Sequence, residues 1–295
     1  MRIGIDWGGT KIEIAVLAHD GSFILRERVA TPKGDYDASL SAVEGLVRMA
    51  EARIGATATV GIGIPGTISP ATGLVKNANS THLNGRPLQT DLERRLERPL
   101  RFQNDANCFA LSEATDGAAA GAAVVIGVIL GTGCGAGIAI NGAAHAGRHG
   151  IAGEFGHTPL APMREMEFPG NACWCGRRGC LETYISGTGF IRDYEARTGL
   201  PCAISASDIL ALDDAASRAT YSAYCDRLAR GLALLINILD PDAIVLGGGM
   251  SNIAGLYRDL PPLLPPYVFS DRTETPIRRA KYGDSSGVRG AAWLW

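Results

Sequence analysis

No apolar run in the sequence is long enough to span a bilayer, and no charged leader with an apolar segment precedes the strand-like opening "MRIGIDWGG". A membrane-spanning or exported protein is therefore disfavoured, and a cytoplasmic location is expected. Charge of one sign is equally lacking. The 28 Lys and Arg against 30 Asp and Glu leave a formal net charge of -2 and a pI near 6.2, and basic clusters such as Arg94-Arg95 and Arg177-Arg178 are short. Without a broad basic field, nucleic acid and anionic membranes are poor partners, and a small molecule is favoured. The pattern G-x-x-x-x-G-K-[ST] is missing, which excludes a P-loop. No low-complexity linker is present. The 295 residues, 46% of them hydrophobic, suffice for two cores, and the expected division is a smaller N-terminal domain over 1–118 and a larger one over 119–295.

Cysteine is sparse, and its seven copies are an odd number, which argues against a disulfide framework. Cys108, Cys202 and Cys225 lie among apolar or helical residues and read as small buried hydrophobes. The stretch "CWCGRRGC" differs, because Cys173-x-Cys175-x4-Cys180 sets three soft ligands on a turn that Gly176 and Gly179 let curl. His157 upstream can complete a tetrahedral Cys3His set, which suits zinc. An incidental cysteine-rich loop is the alternative, since His157 lies outside the usual short ligand spacing. A redox role is disfavoured because the spacing is not C-x-x-C.

Strand and helix patterns alternate through the chain. "RIGIDWGGTKIEIAVLA" reads as two antiparallel strands around Gly8-Gly9-Thr10, and "VVIGVILGTGCGAGIAI" repeats the design around Gly131-Thr132-Gly133. Helices are expected in "DASLSAVEGLVRMAEAR" behind Asp37 as N-cap, in "LQTDLERRLE", after "LRFQND", around "ISGTGFIRDYEAR", and in a long segment that Pro241 ends. "SSGVRGAAWLW" is expected to form a last helix. The class is α/β with helix-covered sheets. Glycine turns let backbone N–H groups approach phosphate oxygens, so the two hairpins, with Gly247-Gly248-Gly249 after a third strand, point to a nucleotide. Gly61-x-Gly63-x-x-Gly66 imitates a dinucleotide fingerprint, but Pro65 and "TISPATG" stand where its helix should begin.

In order along the whole chain, "GIDWGGTK", "NDANCFALSEA", "GTGCGAG", "GEFGH", "CWCGRRGCLE" and "IVLGGGMSN" resemble the ROK family of bacterial sugar kinases. That family lies within the actin, hexokinase and Hsp70 ATPase superfamily. The resemblance implies a two-domain, ribonuclease H-like α/β fold with a central ATP and sugar cleft, and a last helix packing back on the N-terminal domain. "KNANSTHLNG", "GTGCGAG", "NILDPDAIVLGGGMSN" and "GDSSGVRGAAWLW" look most like bacterial fructokinase, also called manno(fructo)kinase. This implies transfer of the γ-phosphoryl of MgATP to the 6-hydroxyl of fructose, with mannose or glucose as secondary substrates. N-acetylglucosamine kinase and glucokinase of the family are the competing readings, and a sugar-sensing protein without catalysis is the rival of another class. The family's transcriptional repressors carry an added DNA-binding segment before the first hairpin, for which this chain is expected to have no room.

The same resemblance assigns roles. Asp105 is the general base, a carboxylate that takes the proton from the attacking hydroxyl; on its residue pattern alone Asp105 reads equally well as a helix N-cap. Gly66, Asn79, Asn84, Asn104, Glu154, His157 and Glu182 fall with Asp105 in loops resembling the sugar site. Gly4, Asp6, Gly8, Gly9, Thr10, Lys11, Gly131, Thr132, Gly133, Gly135, Gly247, Gly248 and Gly249 fall on the ATP side, with Asp6 near Mg²⁺. His157, Cys173, Cys175 and Cys180 would hold a structural Zn²⁺, and a homodimer is implied.

Overall fold

A computed structural model describes residues 1–295. Strands β1 (Arg2–Trp7), β2 (Lys11–Leu17) and β3 (Phe23–Ala30) come first, followed by helix α1 (Tyr36–Ile54) and strand β4 (Thr59–Ile64). The short strands β5 (Thr67–Ile68) and β6 (Val75–Lys76) precede helix α2 (Leu88–Leu96), strand β7 (Arg101–Asn104) and helix α3 (Asp105–Thr115). Next come β8 (Val124–Leu130), β9 (Cys134–Ile140) and β10 (Ala143–Ala144), then helices α4 (Glu182–Ile185), α5 (Gly187–Thr198), α6 (Ala206–Ala211) and α7 (Ala215–Leu239). The chain closes with β11 (Ala243–Gly247), α8 (Leu256–Asp259), β12 (Ile277–Arg279) and α9 (Ser286–Ala292). No helix is long and apolar enough to cross a membrane.

Two five-stranded sheets, ordered β3-β2-β1-β4-β7 and β10-β9-β8-β11-β12, organise these elements. By internal contacts the chain forms two compact units, Met1–Gly121 with Gly137–Gly153 and Asp284–Trp295, and Ala122–Ala136 with Glu154–Gly283. In the first unit β1, β2 and β3 are antiparallel neighbours, while β1, β4 and β7 run parallel. Ile3, Ile5 and Trp7 of β1 and Ile12, Ile14 and Val16 of β2 are fully buried with Leu40, Val43 and Val47 of α1. In the second unit β8, β11 and β12 run parallel, and the core gathers Ile126 and Val128, Phe190 and the inner face of α7.

Helix ends follow their local chemistry, with some departures from the expected boundaries. α1 is capped by Asp35, whose carboxylate accepts from the Ala38 N–H, so Asp37 lies in the first turn and is not the cap. The segment around "ISGTGF" is two helices, because Ser186 ends α4 and caps α5 through the Gly189 N–H. α7 begins behind Asp214, which accepts from Ser217, and stops at Asp240 in the left-handed region just before Pro241. Cys108 and Cys225 are buried as expected of small hydrophobes, but Cys202 is partly exposed in the loop before α6.

The glycines of the false dinucleotide pattern have a packing function. After β4 the chain turns into β5, not a helix, and a Cβ on Gly61 would stand 1.9 Å from the Ala291 carbonyl oxygen of α9. Gly4 of β1 meets the Val288 carbonyl of α9 just as closely, at 2.0 Å from its ideal Cβ. On the other side of the helix a Cβ on Gly290 would stand 1.7 Å from the Cys108 carbonyl of α3. α9 is thereby clamped at backbone distance among β1, β4 and α3, all in the first unit. Buried Glu113 adds a polar tie from α3, accepting from Ser286 at 2.7 Å. Gly290→Ala forces these backbones apart and is expected to cost about 3 kcal/mol, the upper end for overpacking. Urea denaturation checks this; an unchanged midpoint would mean that the clamp yields freely.

Candidate active site

In the first unit, β1 delivers Asp6 to the end of the central strand, and the chain reverses at once through Gly8, Gly9 and Thr10 into Lys11. The Gly8 N–H donates to the Lys11 carbonyl at 2.9 Å, closing the turn. A Cβ on Gly9 would approach the Ser80 hydroxyl at 3.3 Å, so the glycine keeps this edge of the turn thin. Parallel strand β7 ends at Asn104, and Asp105 opens α3. Asn104, not Asp105, is the N-cap: its side-chain oxygen accepts from Ala106 at 2.9 Å while its amide donates to the Gly66 carbonyl at 3.0 Å. Asp105 is exposed in the first turn, with one carboxylate oxygen 2.8 Å from the Ala106 N–H. Gly66, Asn104 and Asp105 are thus brought together. Gly66 itself has a φ of 75°, and a side chain there would strike the Lys76 carbonyl.

The two loop asparagines behave differently. Asn84 directs both ends of its amide to Ala78, accepting from its N–H and donating to its carbonyl at 2.9 Å each, and so braces the loop from within. Asn79 lies exposed on that same loop.

Among the carboxylates of this unit, Asp6 is the one pushed well above its ordinary range. Burial pushes its carboxyl up to about 7, and the charges of Asp105 and then Glu13 push in the same direction against Lys11 and Arg28. Glu13 is fully buried but neutralised by Arg26 and by Arg28 at 2.6 Å. Gly287 of α9 lets that helix pass close, its ideal Cβ 3.1 Å from an Asp6 oxygen. A half-buried carboxylate near two other acidic groups favours a cation.

In the second unit the Gly131-Thr132-Gly133 turn closes through the Gly131 N–H and the Gly133 carbonyl at 3.0 Å. Two residues outside the expected set hold it: the Gly187 N–H donates to the Gly131 carbonyl at 2.7 Å, and the Thr188 hydroxyl donates to the Thr132 carbonyl at 2.8 Å. Their signal was the "SGTG" of "ISGTGF", a second Gly-Thr-Gly, which forms the first turn of α5 behind its Ser186 cap. Gly248 comes beside them, with a φ of 78° and an ideal Cβ 2.5 Å from the Leu130 carbonyl, so Gly247–Gly249 meets the end of β8. Gly135 lies in β9 with open space around it.

Glu182, first residue of α4, touches this turn. One carboxylate oxygen accepts from the Cys134 N–H at 3.0 Å, and a Cβ on Gly133 would stand 2.6 Å from the same oxygen. The other accepts from the Trp174 indole N–H at 2.7 Å. Glu154 is exposed, and its carbonyl accepts from the His157 N–H at 3.2 Å across one short helical turn. In the same turn a Cβ on Gly156 would stand 2.1 Å from the Cys134 carbonyl, so the glycine of "GEFGH" is needed for His157 to reach its place.

His157, Cys173, Cys175 and Cys180 converge, with all four donor atoms within 4.8 Å of one another. Cys173 Sγ lies 3.7 Å from His157 Nδ1 and Cys175 Sγ 3.6 Å from Cys180 Sγ. A disulfide would require a sulfur separation of about 2.05 Å, whereas tetrahedral bonds of about 2.3 Å place two thiolates about 3.8 Å apart. The donor set therefore fits one closed tetrahedral ion. Hydrogen bonding from Arg177 lowers the Cys175 thiol below its usual range, while burial raises Cys180. The long loop between His157 and Cys173 is fastened at its middle: buried Glu167 accepts from Arg230 at 2.7 and 2.8 Å, from Arg227 at 2.9 Å and from the Arg164 N–H at 2.9 Å. These partners hold the Glu167 carboxyl down at about 2 although burial opposes it.

Comparison with known proteins agrees with this geometry. A family model described as "ROK family" matches residues 2–295. The chain is 44% identical to the N-acetyl-D-glucosamine kinase of Pasteurella multocida (strain Pm70), over 100% of this chain and 99% of that protein. The structure of a ROK hexokinase from Thermus thermophilus superposes with a TM-score of 0.88 at 30% identity, covering 99% of this chain and 97% of that one. A ROK family glucokinase from Streptomyces griseus, solved in complex with glucose and AMPPNP, superposes with a TM-score of 0.79 at 30% identity, covering 99% and 98%. The fold is that of the hexokinase and actin-like ATPases. None of the three relatives is a fructokinase, the subdivision that the motifs suggested.

The environment of Asp6 has a measurable consequence. Because its folded pKa of about 7 lies above the ordinary carboxyl value, its contribution to stability is full below the unfolded pKa and is lost as pH rises through 7. Asp6→Asn is expected to raise the melting temperature of the nucleotide-free protein by several degrees at pH 8, with a gain that shrinks toward pH 5. Thermal denaturation across that range tests it, and a variant less stable at pH 8 would contradict the assignment.

Proposed function

We propose that this chain, which belongs to the ROK family and is an ATP-dependent sugar kinase, phosphorylates N-acetyl-D-glucosamine at its 6-hydroxyl. The observation that carries the choice of sugar is the similarity to an N-acetyl-D-glucosamine kinase along the full length of both chains, well above the identity to the hexokinase and the glucokinase. Fructose, which the motifs favoured, has no such support.

Asp105 acts as the general base. It is exposed at the start of α3, and its attachment to the Ala106 N–H fixes the direction of the carboxylate. From there it takes the proton of the attacking hydroxyl as the new bond to the γ-phosphorus forms and the γ-phosphorus bond to the departing ADP breaks, a contribution of about 10²- to 10⁴-fold. Asn104 positions it, tied to both the helix and Gly66. The turns at Gly8–Thr10 and Gly131–Gly133 offer backbone N–H groups to phosphate oxygens, and Glu154 and Glu182 offer acceptors to sugar hydroxyls. Such acceptors discriminate, because a sugar lacking the matching hydroxyl leaves them unpaired.

Two ions complete this reading. Asp6 would hold Mg²⁺, which would offset the negative charge of the phosphates during transfer. His157, through the nitrogen beside Cys173, and Cys173, Cys175 and Cys180 would hold Zn²⁺ as a structural cross-link. Coordination at one ring nitrogen leaves the other for a substrate hydroxyl, so His157 serves both ion and sugar.

ADP release with MgATP against N-acetylglucosamine, glucose, mannose and fructose tests the substrate, with Asp105→Asn alongside. N-acetylglucosamine is expected to give the highest kcat/KM, and the variant to lose about 10²-fold or more in kcat while still binding sugar. A preference for fructose would overturn the choice of sugar, and comparable turnover by the variant would remove the base. Stripping the protein with a strong chelator is expected to release zinc, to expose Cys173, Cys175 and Cys180 to a thiol reagent, and to raise the KM for sugar more than for ATP. Elemental analysis that finds no zinc in reduced, untreated protein would eliminate the ion.

A further inference from the structure

Trp174 is the residue between Cys173 and Cys175, and its indole is 79% exposed. A single exposed aromatic on a loop is ordinary. What distinguishes this one is where its N–H points. Nε1 lies 2.7 Å from Glu182 Oε1, a charge-assisted hydrogen bond between a neutral donor and a carboxylate. The ring also packs edge-on against His157, with centroids 5.0 Å apart and planes at 81°. The backbone beneath it is a tight turn, since the Cys173 N–H donates to the Arg177 carbonyl and the Gly176 N–H to the Cys173 carbonyl at 2.9 and 3.0 Å. The indole is thus held by the loop that carries three of the four metal donors.

Glu182 is gripped from both sides. Oε2 takes the Cys134 N–H and Oε1 takes Trp174, one donor on each oxygen. A carboxylate offers about four lone-pair positions, so two protein donors fix its plane and leave further acceptor positions for hydroxyls. The Cys134 N–H belongs to the backbone of β9, and no side-chain substitution removes it. Trp174 is the adjustable half of the grip.

We propose that Trp174 is a positioning residue for the sugar: its indole N–H holds the Glu182 carboxylate in the orientation that accepts substrate hydroxyls, and so couples the order of the metal loop to sugar affinity. The proposal rests on reading Glu182 as a sugar-site residue. Without the N–H, Glu182 can turn about its outer torsions, and sugar binding must then restore an orientation that the native site already has. Binding lost equally from ground and transition states appears in KM and leaves kcat.

Trp174→Phe keeps a ring against His157 and deletes only the donor. Hydrogen bonds to charged groups are the strong ones, so its KM for N-acetylglucosamine is expected to rise about 10-fold or more. Its kcat should stay within about twofold, as for loss of uniform binding, with the KM for ATP and the zinc content unchanged. Glu182→Gln and the double variant run in parallel. If the indole acts through Glu182, adding Trp174→Phe to Glu182→Gln has little further effect on KM; fully additive effects would mean that the ring acts independently and would overturn the proposal. An unchanged sugar KM in Trp174→Phe, with Glu182→Gln impaired, sinks the proposal alone. An unchanged sugar KM in Glu182→Gln removes Glu182 from the sugar site and takes the proposal with it.

Discussion

The first unit depends on one packing constraint, the backbone-to-backbone contact of α9 with β1, β4 and α3. Gly4, Gly61 and Gly290 each face a carbonyl that a methyl group would overlap. Contacts this close leave no room for repacking by rotamer changes, so they fix the helix in translation as well as rotation. The same elements carry the candidate site residues: Asp6 is the last but one residue of β1, α3 begins at Asp105, and Gly287 of α9 lies against the Asp6 carboxylate. A residue near the C-terminus and one in the first strand are thereby held in one environment.

The second unit achieves order by different means. Its loop from His157 to Cys173 contains little regular structure, and besides Leu160 and Met163, which reach the core, two polar anchors hold it. One is the donor cluster at its ends. The other is Glu167 at its middle, buried and held by Arg227 and Arg230 of α7. A buried ion pair is a poor source of net stability because both partners are desolvated, but breaking it leaves a charge uncompensated. Its effect is to make one loop conformation much better than the alternatives. That selectivity matters because the loop leads directly into Trp174, which must lie within hydrogen-bond distance of Glu182.

Much of this was readable in the residues because the relevant signals are short. The hairpins at Gly8–Thr10 and Gly131–Gly133, the break at Pro65 and the end of long α7 before Pro241 all follow from local rules. The Cys3His cluster was legible too, although His157 is 16 residues from Cys173, because soft ligands are rare enough to be noticed at a distance. What escaped was whatever depended on distant segments meeting. The brace from Asn84 to Ala78 uses the amide that the motif suggested for sugar, and only the loop's folding reveals it. The hold of Gly187 and Thr188 on the 131–133 turn was hidden because α4 and α5, separated by the single residue Ser186, read as one helix. The preference for fructose gained no support for a related reason: the motifs quoted are shared across the family, whereas hexose preference is set by loops whose shape the motifs do not encode.

The carboxylates of the first unit show why such a site is not built for stability. Glu13 is as buried as a side chain can be, yet two arginines neutralise it, and it is a structural group. Asp6, six residues into the chain, has no arginine of its own and feels Asp105 and Glu13 in addition. On the proposed reading, a third guanidinium would relieve it, but would also occupy the position that a phosphate-bound cation would need and would draw Asp105 away from a hydroxyl. Leaving Asp6 only partly compensated, by Lys11 and Arg28, would keep that position open at the expense of folding free energy, a trade that functional sites commonly make. The glycine clamp of α9 is what makes the trade tolerable. It holds two like charges in one neighbourhood when electrostatics alone would separate them, so the strongest packing in the unit lies directly beside its least favourable charge.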